Sequence, residues 1–370
     1  MENNIRILLC SLSLKSKGGV SNYVRLIQDN LPGDKFLVKH FAQGCNSKFM
    51  KIFYPIIILI QLPKFRNELK KFNPHVVHIF PSLDWVAIFR DYIFMKYAKK
   101  YGFTVLFFVN GWKKHVYKHF FNKNIFSKFF YKVFIMPDKI LVLASSFKND
   151  LIELGISSKK ITVTTTMVES EKFKPQNRMF NPPYTLLFCS RIEESKGIFQ
   201  LLNAFQTILR KYPCTKLIYL GQGNKLKNLR SKIYNMKLEE NIKCVGYKSG
   251  KQKIDYFIHS DMLILPSFTE GFPTVFCEAM AAGLPYIGTQ VGGLVDAFED
   301  GKQGLVIRSN PPKSEEISEK IIKLIENPKI MKQISENNLL EAKEKYDVKV
   351  ILAELDNIYQ EMINIKGKKE

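Results

Sequence analysis

The sequence predicts an α/β fold of two Rossmann-like parallel-sheet domains facing each other across a cleft. First, short apolar runs alternate with longer segments of helical period, as a parallel sheet covered by helices requires. Second, 370 residues suffice for two α/β domains of ordinary size, each with its own core. Third, the tract Asn177–Pro183 (NRMFNPP) reads as a linker from its prolines, and the charge balance changes there. Residues 1–180 hold 29 Lys+Arg against 11 Asp+Glu, whereas residues 181–370 hold 27 against 23.

In the first half, strands are expected at IRILLC, KFLVKHF, HVVHIF, TVLFFVN, KILVLAS and ITVTTT. In the second they fall at TLLFCS, KLIYLG, IKCVGY, MLILPS, PYIGT and GLVI. Most are continuously apolar, which suits strands buried on both faces. The expected domains are 1–177 and 178–347, followed by a helix over 348–370. Ligands of such sheets bind at the carboxyl ends of strands, and the conspicuous residues fall there. Gly18 and Gly19 separate the first strand from the helix VSNYVRLI, where backbone can approach an oxyanion or simply turn. Arg191 and Lys196 follow TLLFCS, placed to bind a diphosphate or to form a surface ion pair with Glu193 or Glu194. Gly221 and Gly223 end KLIYLG in a G-x-G that a tight turn explains equally well.

Between Met262 and Val295 the only charged side chains are Glu270 and Glu278, where the chain-wide 24% would place about eight. Carboxylates are rarely buried without partners, so this apolar, glycine-punctuated stretch points to a pocket that supplies hydroxyls or cations. Met262–Pro266 reads as a strand, Ser267–Gly271 as a loop, and Pro273 as the first position of a helix through VFCEAMAA. Gly271, Phe272, Pro273 and Thr274 then form a helix N-terminus suited to an anion such as a diphosphate. Alternatively, Glu270 only complements the helix dipole, and Glu278 is a buried glutamate satisfied by a lysine.

The stretch DMLILPSFTEGFPTVFCEAMAAGLPYIGTQVGG, with its glutamates eight positions apart, resembles the signature of glycosyltransferase family 4, retaining enzymes of the GT-B fold. The resemblance continues through SRIEESKGIFQLLNAF, LGQG and EDGKQGLVI, and LKSKGGVSNYV is similar to the family's glycine-rich loop. It covers most of the chain, most strongly from Tyr184 onward. It implies that Glu270 meets donor-sugar hydroxyls, Glu278 the nucleotide ribose, and Arg191 and Lys196 the diphosphate. The chain contains no D-x-D and no His, Cys or carboxylate cluster with metal-ligand spacing, so neither a metal nor another cofactor is expected. Two departures concern the acceptor side. Asn110 stands where the family often has histidine, with His115 and His119 as nearby substitutes, and Thr165–Glu169 (TTMVE) replaces a proline-asparagine-glycine-valine-aspartate turn. The implied function is transfer of a hexose or N-acetylhexosamine from a UDP- or GDP-linked sugar to a lipid-linked saccharide or polysaccharide precursor, as in lipopolysaccharide or capsule synthesis. A noncatalytic GT-B partner in a polysaccharide assembly is the alternative.

From Tyr92 to Pro137 there are nine lysines and no acid. Phe126, Phe129, Phe130, Val133 and Phe134 follow helical spacing while Lys128 and Lys132 fall off that stripe, so this helix can lie on an anionic membrane or pack its phenylalanines in a core. The net +18 of the first half favours the anionic surface, and no nucleic-acid motif accompanies it. The apolar run Ile52–Leu62 is too short to span a bilayer and contains Pro55; IRILLC begins at Ile5, so no cleavable leader is expected. The six cysteines are scattered, as in a reduced cytosolic protein. The expected location is cytoplasmic, peripheral to the inner face of the membrane.

Overall fold

The structure is a computed structural model that describes residues 4–16, 18–43, 54–81, 85–111, 125–173, 175 and 178–367. The chain forms two compact units, Met1–Thr166 joined by Val348–Glu370, and Met167–Asp347.

The first unit contains strands β1 (Ile5–Ser11), β2 (Phe36–Ala42), β3 (Val76–Ile79), β4 (Thr104–Val109), β5 (Lys139–Val142) and β6 (Ile161–Val163). They form one parallel sheet in the order β2-β1-β3-β4-β5-β6. Its helices are α1 (Gly19–Asn30), α2 (Tyr54–Phe72), α3 (Trp85–Lys100), α4 (Ile125–Ile135) and α5 (Ser145–Glu153). The second unit carries β7 (Thr185–Cys189), β8 (Lys216–Leu220), β9 (Ile242–Gly246), β10 (Met262–Leu265), β11 (Tyr286–Thr289) and β12 (Gly304–Ile307), parallel in the order β12-β11-β10-β7-β8-β9. Its helices are α6 (Ile198–Lys211), α7 (Leu226–Asn235), α8 (Gly250–Ile258), α9 (Thr274–Ala281), α10 (Leu294–Ala297), α11 (Ser314–Ile325) and α12 (Pro328–Glu341). All twelve apolar runs are strands. Every residue of β3, β4, β5, β10, β11 and β12 is buried, which is why their sequences do not alternate. Strand order reverses between β1 and β3 in one sheet and between β7 and β10 in the other, where ligand crevices of this fold open.

The last helix, α13 (Val348–Gly367), lies in the first unit against α1, β3 and β4. The Tyr359 hydroxyl lies 2.8 Å from Nδ1 of the fully buried His78, and Lys35 donates to Asp356 at 2.5 Å. Burial lowers the His78 imidazole to about 3.

The unit boundary differs from the one expected at 177. The first crossing is at Thr166/Met167, because the following residues belong to the second unit. Val168 N–H donates to the Tyr346 carbonyl, Ser170 donates to Asp347 through N–H and hydroxyl, and Phe173 packs edge-on against Phe257. Proline content marks where a chain turns, not which core it joins. Of the stripe expected on α4, Phe130, Val133 and Phe134 are fully buried, with Phe134 edge-on to Phe107, and Phe129 is half-buried against Tyr92, so this part of the apolar face is core; the Phe126 side chain lies outside the described residues. Lys128 and Lys132 remain on the outside. Among the described residues no helix is long and apolar enough to cross a membrane.

Candidate functional site

Lys196 and Glu270 meet at the carboxyl ends of β7 and β10, the two strands that flank the order reversal. After β7 the chain makes a short turn over Glu194–Lys196 and enters α6 through Gly197, whose φ is +69°. A Cβ at Gly197 would lie 2.1 Å from the Pro266 carbonyl oxygen, so only glycine lets this turn seat on the end of β10. The Phe268 N–H then donates to the Ser195 carbonyl at 2.8 Å. This lacing brings Lys196 to Glu270. The buried Lys196 ammonium donates to Glu270 Oε1 at 2.6 Å and to the Thr269 carbonyl at 3.1 Å, and the Ser267 hydroxyl donates to the same Oε1 at 2.7 Å. Thr289 at the end of β11 fixes Ser267 through its carbonyl at 2.5 Å. Gly292 packs its α-carbon onto the Glu270 and Gly271 carbonyls, and the Gly293 N–H donates to Gly271 at 2.6 Å. Four segments thus hold one carboxylate and one ammonium in contact.

Glu278 sits on α9 and is 7% exposed. Its partner is Lys253 of α8, with Nζ 2.6 Å from Oε1 and 2.5 Å from Oε2, so the ammonium straddles the carboxylate. Burial works against the Lys253 charge, but the Glu278 carboxylate outweighs it and holds the ammonium above the ordinary lysine range. Cys189, at the end of β7 beside this pair, is pushed up to about 12 by burial, which the Lys253 charge only partly offsets. The pairing realises the alternative in which a lysine satisfies Glu278.

One expectation needs correction, and two sets of residues take structural roles that the sequence had left open. Pro273 is the N-cap of α9 rather than its first residue, the helix beginning at Thr274; no side chain caps that terminus. Arg191 takes the surface ion pair that the sequence left open: its side chain is 69% exposed and pairs with Glu193 at 2.8 Å, across a tight turn in which the Glu193 N–H donates to the Arg191 carbonyl at 2.9 Å. Gly221 and Gly223 are explained by packing, since a Cβ at either would lie within about 2.2 Å of the Ser190 or Ile192 carbonyl. In the same region Gly271 and Phe272 continue the Glu270 loop, with Phe272 edge-on to Phe276.

On the first unit, Gly18 and Gly19 lie exposed at the start of α1, after β1, and a Cβ at Gly18 would meet nothing within 4 Å. Asn110 follows β4, and its Oδ1 is buried with no hydrogen-bond partner among the described residues. His115 and His119 lie outside the described residues. Sequence reasoning missed Lys253, Ser267 and Gly197. Gly197, directly after Lys196, had a visible signal in S-K-G; Lys253 had none, being one lysine of many.

Residues 169–340, which hold the paired carboxylates, match the family model of glycosyl transferases group 1. The chain is a glycosyltransferase. Its sequence is 24% identical over 334 residues to the capsular polysaccharide biosynthesis glycosyltransferase CapM of Staphylococcus aureus, spanning 79% of this chain and 87% of that protein. It is 28% identical over 236 residues to the alpha-monoglucosyldiacylglycerol synthase of Acholeplasma laidlawii, spanning 63% of this chain and 57% of that one. In structure, this glycosyltransferase superposes on Anabaena HepE, solved with UDP and glucose, with a TM-score of 0.72 at 15% identity over 96% of this chain and 100% of that one. Sucrose-phosphate synthase of Thermosynechococcus elongatus gives a TM-score of 0.78 at 16% identity, covering 98% and 100%. Those likenesses establish the GT-B fold.

Proposed function

We propose that this glycosyltransferase moves a hexose or N-acetylhexosamine, with retention and without a metal ion, from a nucleotide diphosphate sugar to a lipid-linked saccharide or polysaccharide precursor. The observation that carries the reading is the buried Lys196–Glu270 pair at the β7/β10 reversal. A carboxylate there suits sugar hydroxyls, and the ammonium beside it suits the diphosphate oxygens. Lys196 has three N–H donors, two of which serve Thr269 and Glu270, leaving one for a phosphate oxygen. Arg191 adds a second cation at little cost, since an exposed pair such as Arg191–Glu193 is worth about 0–1 kcal/mol and re-aims readily. Two cations and the uncapped N-terminus of α9, with Gly271 to Thr274 leading into it, stabilise the departing diphosphate electrostatically. Glu278 is the group for the ribose diol. In the transfer itself, the bond from the anomeric carbon to the phosphate oxygen breaks as the acceptor oxygen bonds to that carbon from the same face, and the acceptor proton passes to the departing phosphate.

UDP-linked and GDP-linked donors both fit this chemistry; the UDP complex of HepE supports the former. The first unit, with Gly18, Gly19 and Asn110 at its strand ends, is the acceptor side. The names of CapM and of the diacylglycerol synthase, together with the +18 of residues 1–180, support a saccharide or lipid-linked acceptor at an anionic cytoplasmic membrane face.

The test is nucleotide binding and transfer across a panel of nucleotide sugars. Glu278→Gln is expected to weaken binding of the nucleoside diphosphate by about 1 to 3 kcal/mol with the fold intact. Transfer is expected to survive a chelator and to gain little from Mg²⁺ or Mn²⁺. Unchanged affinity would remove Glu278 from the ribose, and activity lost to chelation and restored by metal would remove the electrostatic account of the diphosphate.

A further inference from the structure

The described part of α4 offers little apolar surface, because Phe130, Val133 and Phe134 are core. Helix α2 offers more. Its inner side is anchored by Ile58, Phe65 and Leu69, all at most 5% exposed, with the Phe65 ring 4.8 Å from Phe94 and 5.2 Å from Phe41. On the opposite side Ile56, Leu59 and Ile60 are 54%, 68% and 57% exposed. With the exposed Pro63 they stand at i, i+3, i+4 and i+7, which is one stripe of a helix. Beyond Pro63 the exposed residues become basic: Lys64, Arg66, Lys70 and Lys71. The helix has a single acid, Glu68, and it is engaged by Lys39 at 2.6 Å. The outer surface therefore begins apolar and ends cationic, with no negative charge left to answer it.

We infer that α2 docks the first unit on an anionic bilayer leaflet, Ile56, Leu59 and Ile60 entering the acyl boundary while Lys64, Lys70 and Lys71 meet the lipid phosphates. Interfacial helices bury an apolar face about 5–10 Å below the headgroups and gain further attraction from anionic lipid. Charge complementarity selects this occupant over a second copy of the chain, which would bring the same uncompensated cations together. The inference rests on the proposed membrane-face acceptor for its purpose, and on the exposed stripe alone for its geometry.

The experiment uses the full chain, sedimented with vesicles of phosphatidylcholine alone or with 30% phosphatidylglycerol, at low and high salt. Replacing Ile56, Leu59 and Ile60 together by Asn is expected to lower partition into the anionic vesicles about a hundredfold, since half-burying each side chain contributes about fivefold. Lys64→Gln with Lys70→Gln and Lys71→Gln is expected to lower it by roughly fivefold per lysine and to flatten the salt dependence. Lys128→Gln with Lys132→Gln on α4 is the control and is expected to change it less than about twofold. All these side chains are exposed, so circular dichroism and nucleotide binding should stay at wild-type level. Partition indifferent to the α2 variants, lost instead in the α4 control, or equal on both kinds of vesicle would overturn the inference. So would a dimer, seen by sedimentation velocity, that the Asn variant dissociates. Failure of every nucleotide sugar in the transfer assay would sink the proposed function while leaving the vesicle result standing.

Discussion

Replacing Lys253 by Met isolates a carboxylate in an apolar wall and turns the stability of the second unit into a function of pH. In the native protein the Lys253 ammonium lies within 2.6 Å of both oxygens of Glu278, which is 7% exposed. Breaking such a pair from one side costs about 3–5 kcal/mol while the remaining charge stays buried. The carboxylate has an escape, which is to take up a proton, and that sets a ceiling. Protonating an ordinary glutamic acid, with a value near 4.3, costs about 4 kcal/mol at pH 7.5 and about 1.6 kcal/mol at pH 5.5, at ~1.36 kcal/mol per pH unit. The folded variant then binds a proton that its unfolded chain does not, so it gains stability relative to wild type as the pH falls. Lys253→Met is expected to destabilise the second unit by about 3–4 kcal/mol at pH 7.5 and by about 1.6 at pH 5.5, and adding Glu278→Gln should remove the pH dependence. Both tryptophans, Trp85 and Trp112, precede residue 167, so their fluorescence follows the first unit and serves as an internal reference. Urea unfolding read by circular dichroism, with hydrogen exchange across 250–282, reports the second. A loss below about 1 kcal/mol, flat with pH, would show that water reaches Glu278 and that the pair is a surface contact.

Gly197→Ala is expected to cost at least about 2 kcal/mol, since φ +69° alone disfavours an L side chain by roughly 1–2 and the new methyl would meet the Pro266 carbonyl at 2.1 Å; calorimetry should also show weaker nucleotide binding, because the Lys196 turn must lift from the Glu270 loop. His78 is held neutral by burial, at about 3 against an ordinary 6.5, so its contribution is complete above pH 6.5 and is lost as pH falls toward 3. Between pH 8 and pH 5 the wild type is expected to lose about 2 kcal/mol more than His78→Gln in the tryptophan-detected transition; parallel curves would refute the assignment.

The sheets were legible because buried parallel strands must be apolar throughout, and MLIL or VVHI can hardly be anything else between helices of polar period. Glu270 and Glu278 were legible for the opposite reason: a charge stands out where burial excludes charges. Their cations were not equally so. Lys196 was marked by its place after a strand, whereas Lys253 is one cation among 56 Lys+Arg, and only the fold, which brings α8 and α9 to the same turn at Ser170–Phe173, selects it. Periodicity likewise reported an apolar face on α4 without saying what covers it, and missed the exposed stripe of α2 because Ile56–Leu62 is apolar at every position but Gln61. The boundary at Thr166 escaped because it is defined by hydrogen bonds to Tyr346 and Asp347, residues remote in sequence.

That double crossing makes the second unit an insertion, with residues 167–347 interrupting a domain whose final helix is synthesised after them. On the ribosome the first sheet must wait. At about 5–20 residues per second, the 181 residues from Met167 to Asp347 occupy roughly ten to forty seconds, during which the faces of β3 and β4 that receive α13 have no cover. The His78 ring lacks its Tyr359 partner throughout that interval. Chaperone access therefore bears on this domain at a stage when the inserted one can already be complete.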